Sequence, residues 1–329
     1  VYESNSYMAR LFKIAVSIGL LALLVYTLDI ARIADSVREV RWWAVLLAVA
    51  LQLLLFALAN IRWWVLLNYH ACGYRPATLL APYFIGVFFN NFLPSMLGGS
   101  IFRMYYIYRD NHDAAVAVSP VITERLLGFV AMITTAAVIV QFLSREQAYV
   151  RVLANTLPWI LVFTVAALTL IGSHKSYQSL QAALARLRRF KVVATVLRIA
   201  EAVHTYFSNP WIVAQVFAIS LGLQVMTAGV YYLLGLGLGA SVPLLDYLVI
   251  VPLIFVAAAL PVSIGGLGVR EAAAVSLFAT AGMSPDHAGA LAFLYLAVLL
   301  LSSAPGLYLF LTTQDFRRLY RQVRHQPLA

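Results

Sequence analysis

The sequence predicts an all-α polytopic membrane protein made of two inverted-topology repeats, each carrying a broken, re-entrant helical hairpin. Three observations lead there. Apolar stretches of bilayer length recur from end to end of a 329-residue chain that is 63% hydrophobic and 11% charged, with mean hydropathy +0.87. One pattern, LPxxxGGxxxR, occurs twice inside those stretches: Leu93, Pro94, Gly98, Gly99 and Arg103, then Leu260, Pro261, Gly265, Gly266 and Arg270. Basic residues gather in a few short segments beside the apolar runs, which assigns a membrane side to each run. A β-barrel would show short alternating segments instead, and soluble domains do not reach this composition.

The first apolar run, residues 8–28, begins beside Arg10 and Lys13 and lacks a small-residue cleavage site. It reads as a retained helix with the N-terminus in the cytoplasm. Residues 29–41 have balanced charge and are placed outside. A long helix over residues 42–68 returns to the cytoplasm at Arg75. Residues 114–143 must then go outward and 152–172 back, because the segment after His174 is basic: Lys175, Arg186, Arg188, Arg189, Lys191 and Arg198 against Glu201. Residues 77–111 therefore enter from the cytoplasm and end there, flanked by Arg75 and Arg109, as a hairpin with its tip at Pro94 to Gly99. In the basic segment Leu180, Leu184 and Leu187 recur at helical spacing, which predicts an amphipathic helix on the membrane surface.

Residues 211–238 leave the cytoplasm again, and residues 287–311 return to a tail carrying Arg317, Arg318, Arg321 and Arg324. Residues 243–283 thus begin and end outside, with a tip at Pro261 to Gly268. The domain layout is repeat 1 (42–143), a cytoplasmic linker (173–208), repeat 2 (209–313) and a basic tail (314–329). The expected location is the cytoplasmic (inner) membrane with both termini in the cytoplasm. Inversion of the two halves emerges from charge counting alone. Pairs of full spans would satisfy the same counting, so the depth of the tips is left to the structure.

Lipid tolerates no unpaired backbone, so a Pro and Gly break at membrane depth has to line a cavity or be buried in protein. Matching breaks in two halves point to a transporter's binding site. A broken helix offers bare N–H groups and the positive end of its dipole to an anion. Gly98 and Gly99, and Gly265 and Gly266, would let a phosphate approach the backbone, and Arg103 and Arg270 follow one helical turn on. The bland alternatives are kinks and close helix contacts for the glycines and snorkelling for the arginines. Asn90 and Asn91 precede the first tip and either line the cavity or stitch helices. Glu124 with Arg125, and Arg270 with Glu271, are acid–base neighbours near helix starts, and charge neutralisation is the simplest role for Glu124. Asp246 and Asp286 are placed at outer edges facing water, and Trp42, Trp43, Trp63, Trp64, Tyr105, Tyr106 and Tyr108 mostly in the interfacial belt.

Several classes are excluded or disfavoured. The net charge of +10 lies beside spans and reports topology and anionic head groups rather than nucleic acid. There is no GxxxxGK[ST] loop, and the histidines (His70, His112, His174, His204, His287, His325) show no ligand-like pairing, so neither a cofactor nor a metal is expected. Cys72 stands alone, which forbids an internal disulfide.

Asn91, Pro94, Gly98, Gly99 and Arg103, then Glu124 and Arg125 heading an apolar helix, then Pro261, Gly265, Gly266, Gly268 and Glu271 resemble, in order and spacing, the flippase-like membrane domain of lysylphosphatidylglycerol synthases (the MprF type). The resemblance spans nearly the whole chain. It implies an integral membrane protein that moves lipids with charged or glycosylated head groups between leaflets, and it implies a role for those matching residues. The chain stops after Ala329 with no aminoacyltransferase domain, so the synthase activity is not expected here. The leading expectation is a lipid translocase, not an enzyme, in which Arg103 and Arg270 hold a phosphate-bearing head group. The alternatives are a membrane enzyme or accessory subunit in polyprenyl-phosphate or phospholipid head-group transfer, with Glu124 or Glu271 as base, and a secondary transporter of a small anion. Membrane lipids are the expected partners, with a homo-oligomer or a separate biosynthetic enzyme left open.

Overall fold

The computed structural model describes residues 30–70, 72–91, 98–143, 148–184, 191–259, 263 and 266–312, and every regular element among them is helical. In order these are α1 (Ile30–Arg38), α2 (Trp42–Tyr69), α3 (Pro76–Asn90), α4 (Gly98–Asn111), α5 (Ala114–Ile139, continued by a 3-10 turn Val140–Phe142), α6 (Ala148–Gly172), α7 (His174–Leu184), α8 (Lys191–Phe207), α9 (Pro210–Gly237), α10 (Leu244–Ala258), α11 (Val269–Thr280) and α12 (Pro285–Thr312). The helix expected over residues 8–28, Pro94, Pro261, Gly265 and the basic tail lie outside the described residues.

Five helices, α2, α5, α6, α9 and α12, are long and apolar enough to cross a membrane. The chain is a polytopic membrane protein. The helices around the two motifs are different. α3 and α10 have 15 residues each, α4 has 14 and α11 has 12. At 1.5 Å per residue even the longer two reach only about 22 Å, short of a hydrocarbon core of about 30 Å. Among the described residues these are half-length helices; α3 packs on α4 and α10 packs on α11, which makes two hairpins.

Small residues set the helix contacts. α2 and α9 run antiparallel, with Gly222 opposite Leu58, Gly229 opposite Leu51 and Gly237 opposite Ala44. Absent side chains at that spacing allow close approach, which drives association where lipid removes the hydrophobic incentive. α3 lies equally close to α12, where Gly306 meets the Phe84 carbonyl and Phe89 packs edge-on against Phe310 at 4.9 Å between ring centroids. Aromatic rings hold the second hairpin: Tyr247 of α10 lies tilted at 4.8 Å from Phe278 of α11, and Phe278 stacks at 6.2 Å on Tyr231 of α9, which in turn stacks at 4.1 Å on Tyr295 of α12. α6 keeps an apolar outer face, with Trp159, Val162 and Phe163 exposed, as a lipid-facing span should.

Two placements differ from the sequence expectation. Asp246 is buried rather than facing water, because the Tyr149 hydroxyl donates to it at 2.8 Å and ties α6 to α10. Trp63 is fully buried rather than interfacial, and Trp64 donates its indole N–H to the Tyr74 carbonyl at 2.8 Å. The second half of the linker forms α8. α8 packs on α5, where Arg198 pairs with Asp113, the residue that caps α5, and buried Tyr206 donates to the Leu66 carbonyl of α2 at 2.8 Å. The linker call on Leu187 lies outside the described residues.

Candidate functional site

Described residues on both sides of each break line one cavity of about 380 Å3. Asn90, Asn91, Gly99, Ser100 and Arg103 reach it from the first hairpin, and Ala258, Ala259, Gly266 and Arg270 from the second. α2 adds Arg62, and α5 adds Glu124 and Arg125. The remaining wall is apolar, with Phe56, Val87, Phe255 and Leu299. Residues more than 160 positions apart in the chain thus share one buried, positively biased space.

Arg103 is the hub of the first corner. Its Nη2 donates to Glu124 Oε1 at 2.5 Å and to Ser100 Oγ at 3.2 Å. Its guanidinium carbon lies 5.3 Å from the Trp63 ring and 5.0 Å from the Tyr83 ring, so two π faces hold the plane in place. Only 8% of Arg103 is exposed, yet Nη1 has no hydrogen-bond partner among the described residues. A buried guanidinium N–H without an acceptor is costly. Arg125 Nη2 donates to the same Ser100 oxygen at 3.0 Å. Arg62 Nη2 lies 4.0 Å from Glu124 Oε2, while its Nη1 donates to Ser220 Oγ at 3.0 Å.

The second corner is closed on itself. Arg270 donates through Nε at 3.0 Å and Nη2 at 2.6 Å, both to Glu271 Oε1, and lies 5.3 Å from the Tyr295 ring centroid. Glu271 Oε2 accepts the Gly268 N–H at 2.7 Å, so the start of α11 already holds a carboxylate from its own first turn. Gly266 and Gly268 have φ of +81° and +83°, which explains glycine at both: the chain turns into α11 through conformations that side chains rarely adopt.

Gly99 has a packing job. A Cβ there would collide with the Gly86 carbonyl, so the glycine lets α3 and α4 touch backbone to backbone. Gly98 begins α4, and Asn91 both lines the cavity and donates to Ser303 Oγ at 3.2 Å, stitching α3 to α12.

Sequence reasoning singled out Asn91, Gly99, Arg103, Glu124, Arg125, Gly266, Gly268, Arg270 and Glu271, and the structure gathers all nine at or beside this cavity. It missed Arg62, Ser100, Tyr83 and Tyr295. Arg62 was findable, being the sole charge in the 28 residues of α2. The aromatic pair around Arg103 was not, because only the crossing of α2, α3 and α4 brings it together.

Comparison with known proteins agrees with this architecture. Residues 10–306 match the family described as the lysylphosphatidylglycerol synthase TM region. The chain is 22% identical over 259 residues to a UPF0104 membrane protein of Methanothermobacter thermautotrophicus, covering 72% of this chain and 74% of that one. It is 31% identical over 129 residues to a UPF0104 membrane protein of Methanocaldococcus jannaschii, covering 38% and 37%.

Proposed function

Because the chain belongs to the lysylphosphatidylglycerol synthase transmembrane family, we propose that it is a lipid translocase. It moves a lipid with a phosphate-bearing, charged or glycosylated head group between the leaflets of the cytoplasmic membrane. One observation supports this above the others: both broken hairpins contribute their corners to a single buried cavity whose arginines outnumber its acids. A head group desolvated there meets preorganised donors, Arg103 first, while acyl or prenyl tails stay in the bilayer. Taken as inverted repeats with both termini in the cytoplasm, the two halves would rock against each other and open the cavity to alternate faces.

The test is leaflet exchange of a head-group-labelled phospholipid in liposomes holding the full chain. Arg103→Ala is expected to slow exchange at least about tenfold, a loss of about 1.4 kcal/mol of ligand stabilisation. Arg103→Lys retains the charge without the planar fork and should fall between them. A wild-type rate in both variants refutes the assignment. Head-group transfer by the detergent-solubilised protein, with no sealed compartment, would favour the enzyme alternative instead, and uptake of a water-soluble anion the small-anion transporter.

A further inference from the structure

We infer, resting on the translocase proposal, that the head group is held at a phosphodiester shared between the hairpins, one free oxygen accepting from the Ser100 hydroxyl and the other from Arg270 Nη1.

A hydroxyl carries two acceptor lone pairs and one O–H. Both lone pairs of Ser100 Oγ are taken, by Arg103 Nη2 at 3.2 Å and by Arg125 Nη2 at 3.0 Å. The proton therefore points away from both guanidiniums, and it has no acceptor among the described residues. Ser100 is 4% exposed, and the exposed part lines the cavity. It stands in the first turn of α4, where the positive end of the helix dipole adds to the attraction for an anion. In this conformation Arg103 serves the ligand through Ser100, as a positioning residue: its own unpartnered Nη1 is sealed from the cavity.

Arg270 is the counterpart on the second hairpin. Its Nε and Nη2 both go to Glu271 Oε1, and its guanidinium carbon lies 5.3 Å from the Tyr295 ring centroid. These contacts balance the charge of that corner and fix the guanidinium plane, and they leave one N–H over. Nη1 has no hydrogen bond among the described residues and, unlike Arg103 Nη1, is not sealed off. Arg270 is 5% exposed and lines the same cavity as Ser100. Glu271 cannot occupy the free donor, because its Oε2 already accepts the Gly268 N–H at 2.7 Å. Two side chains, each more than nine-tenths buried and each on a different hairpin, thus bring one unused donor to one space. A buried donor is costly until an acceptor arrives.

This pair of donors selects among the head groups that the translocase proposal admits. A phosphodiester has two non-bridging oxygens, both acceptors, and shares one negative charge between them, so each hairpin receives a charge-assisted hydrogen bond. A phosphotriester keeps one such oxygen and no charge, and it satisfies one hairpin only. A glycosylated head group without phosphate brings no charge to either.

The experiment measures displacement of radiolabelled phosphatidylmethanol from the full chain in detergent micelles at neutral pH. The competitors are unlabelled phosphatidylmethanol, its methyl triester with the same acyl chains, and glycerophosphomethanol as the soluble diester. The lipid diester is expected to bind at least about tenfold more tightly than the triester. Ser100→Ala and Arg270→Lys, each melting as the wild type does, should narrow that preference to less than about threefold. Equal displacement by diester and triester in the wild-type protein, a measurement that depends on no variant, overturns the shared phosphodiester. An undiminished preference in both variants overturns the assignment of its two donors. Glycerophosphomethanol binding as tightly as phosphatidylmethanol supports the phosphodiester and overturns the lipid translocase proposal. Diester selectivity in micelles with no leaflet exchange in liposomes does the same, whereas exchange without diester selectivity upholds the translocase and overturns the phosphodiester.

Discussion

The Arg103–Glu124 ion pair should dominate the stability of the first hairpin, and a double-mutant cycle measures it. The pair is buried, with side-chain exposures of 9% and 4%, and its closest atoms are 2.5 Å apart. Charge centres separated by about 4 Å attract by about 4 kcal/mol at an effective dielectric of 20, and removing one partner of a buried pair costs about 3–5 kcal/mol. The two single substitutions are not equivalent. Glu124→Gln removes the carboxylate that both Arg103 and Arg62 face, whereas Arg103→Gln leaves Glu124 with Arg62 still 4.0 Å away. Glu124→Gln should therefore be the more damaging. The double variant should cost less than the sum of the singles by about 1–3 kcal/mol. Unfolding of the full chain in mixed micelles, followed by tryptophan fluorescence against denaturant, supplies all four corners of the cycle. A coupling below about 0.5 kcal/mol, or a costlier Arg103→Gln, would show that the pair does not hold the site together.

Two further perturbations probe the scaffold. Gly99→Ala drives a Cβ into the Gly86 carbonyl, a backbone atom that cannot swing aside, so it should cost at least about 1–3 kcal/mol or abolish monodisperse protein. Gly239→Ala, with φ +76° and nothing within 4 Å, should cost only the backbone strain of about 1–2 kcal/mol, and equal melting temperatures for the two would refute contact between α3 and α4. His70 lies just beyond α2, edge-on to Tyr206 at 5.0 Å, and burial holds its pKa below the ordinary value against the opposing pull of Asp113. A depressed histidine pKa means that the unfolded chain takes up the proton first. Its stability contribution is present above about pH 6.5 and is lost as the pH falls through it. Melting curves of wild type and His70→Gln should therefore converge on acidification, and a constant gap between them would remove the assignment.

The long helices were legible because each is a single apolar run longer than a bilayer needs. The ends expected at 42–68, 211–238 and 287–311 fall within two residues of α2, α9 and α12. The breaks were legible because Pro and paired Gly cannot sit unremarked in an apolar helix. What those glycines do was harder to see. Gly99 serves a helix crossing and Gly266 and Gly268 a left-handed turn, and sequence shows the residue but not which of its two freedoms is used. The burial of Asp246 and Trp63 was hidden for a related reason. A polar or aromatic residue near the end of an apolar helix is interfacial by default, and only a partner on another helix, Tyr149 or Arg103, reverses that default.

The difference between the two corners lies in where the acid sits. Glu271 follows Arg270 directly and shares its helix turn, so the pair rides with α11 as one body through any displacement of the second hairpin. Glu124 comes 21 residues after Arg103 and stands on α5. Any movement of α4 against α5 must stretch or break that bond, and each ångström of separation raises the energy of charges that have no water to turn to. On the proposed translocase function, an anion entering beside Arg103 would offer its oxygens to the guanidinium and lessen its dependence on Glu124. Ligand and helix displacement would then be alternatives to a single ion pair, and on that proposal occupancy of the cavity would be coupled to freedom of the first hairpin.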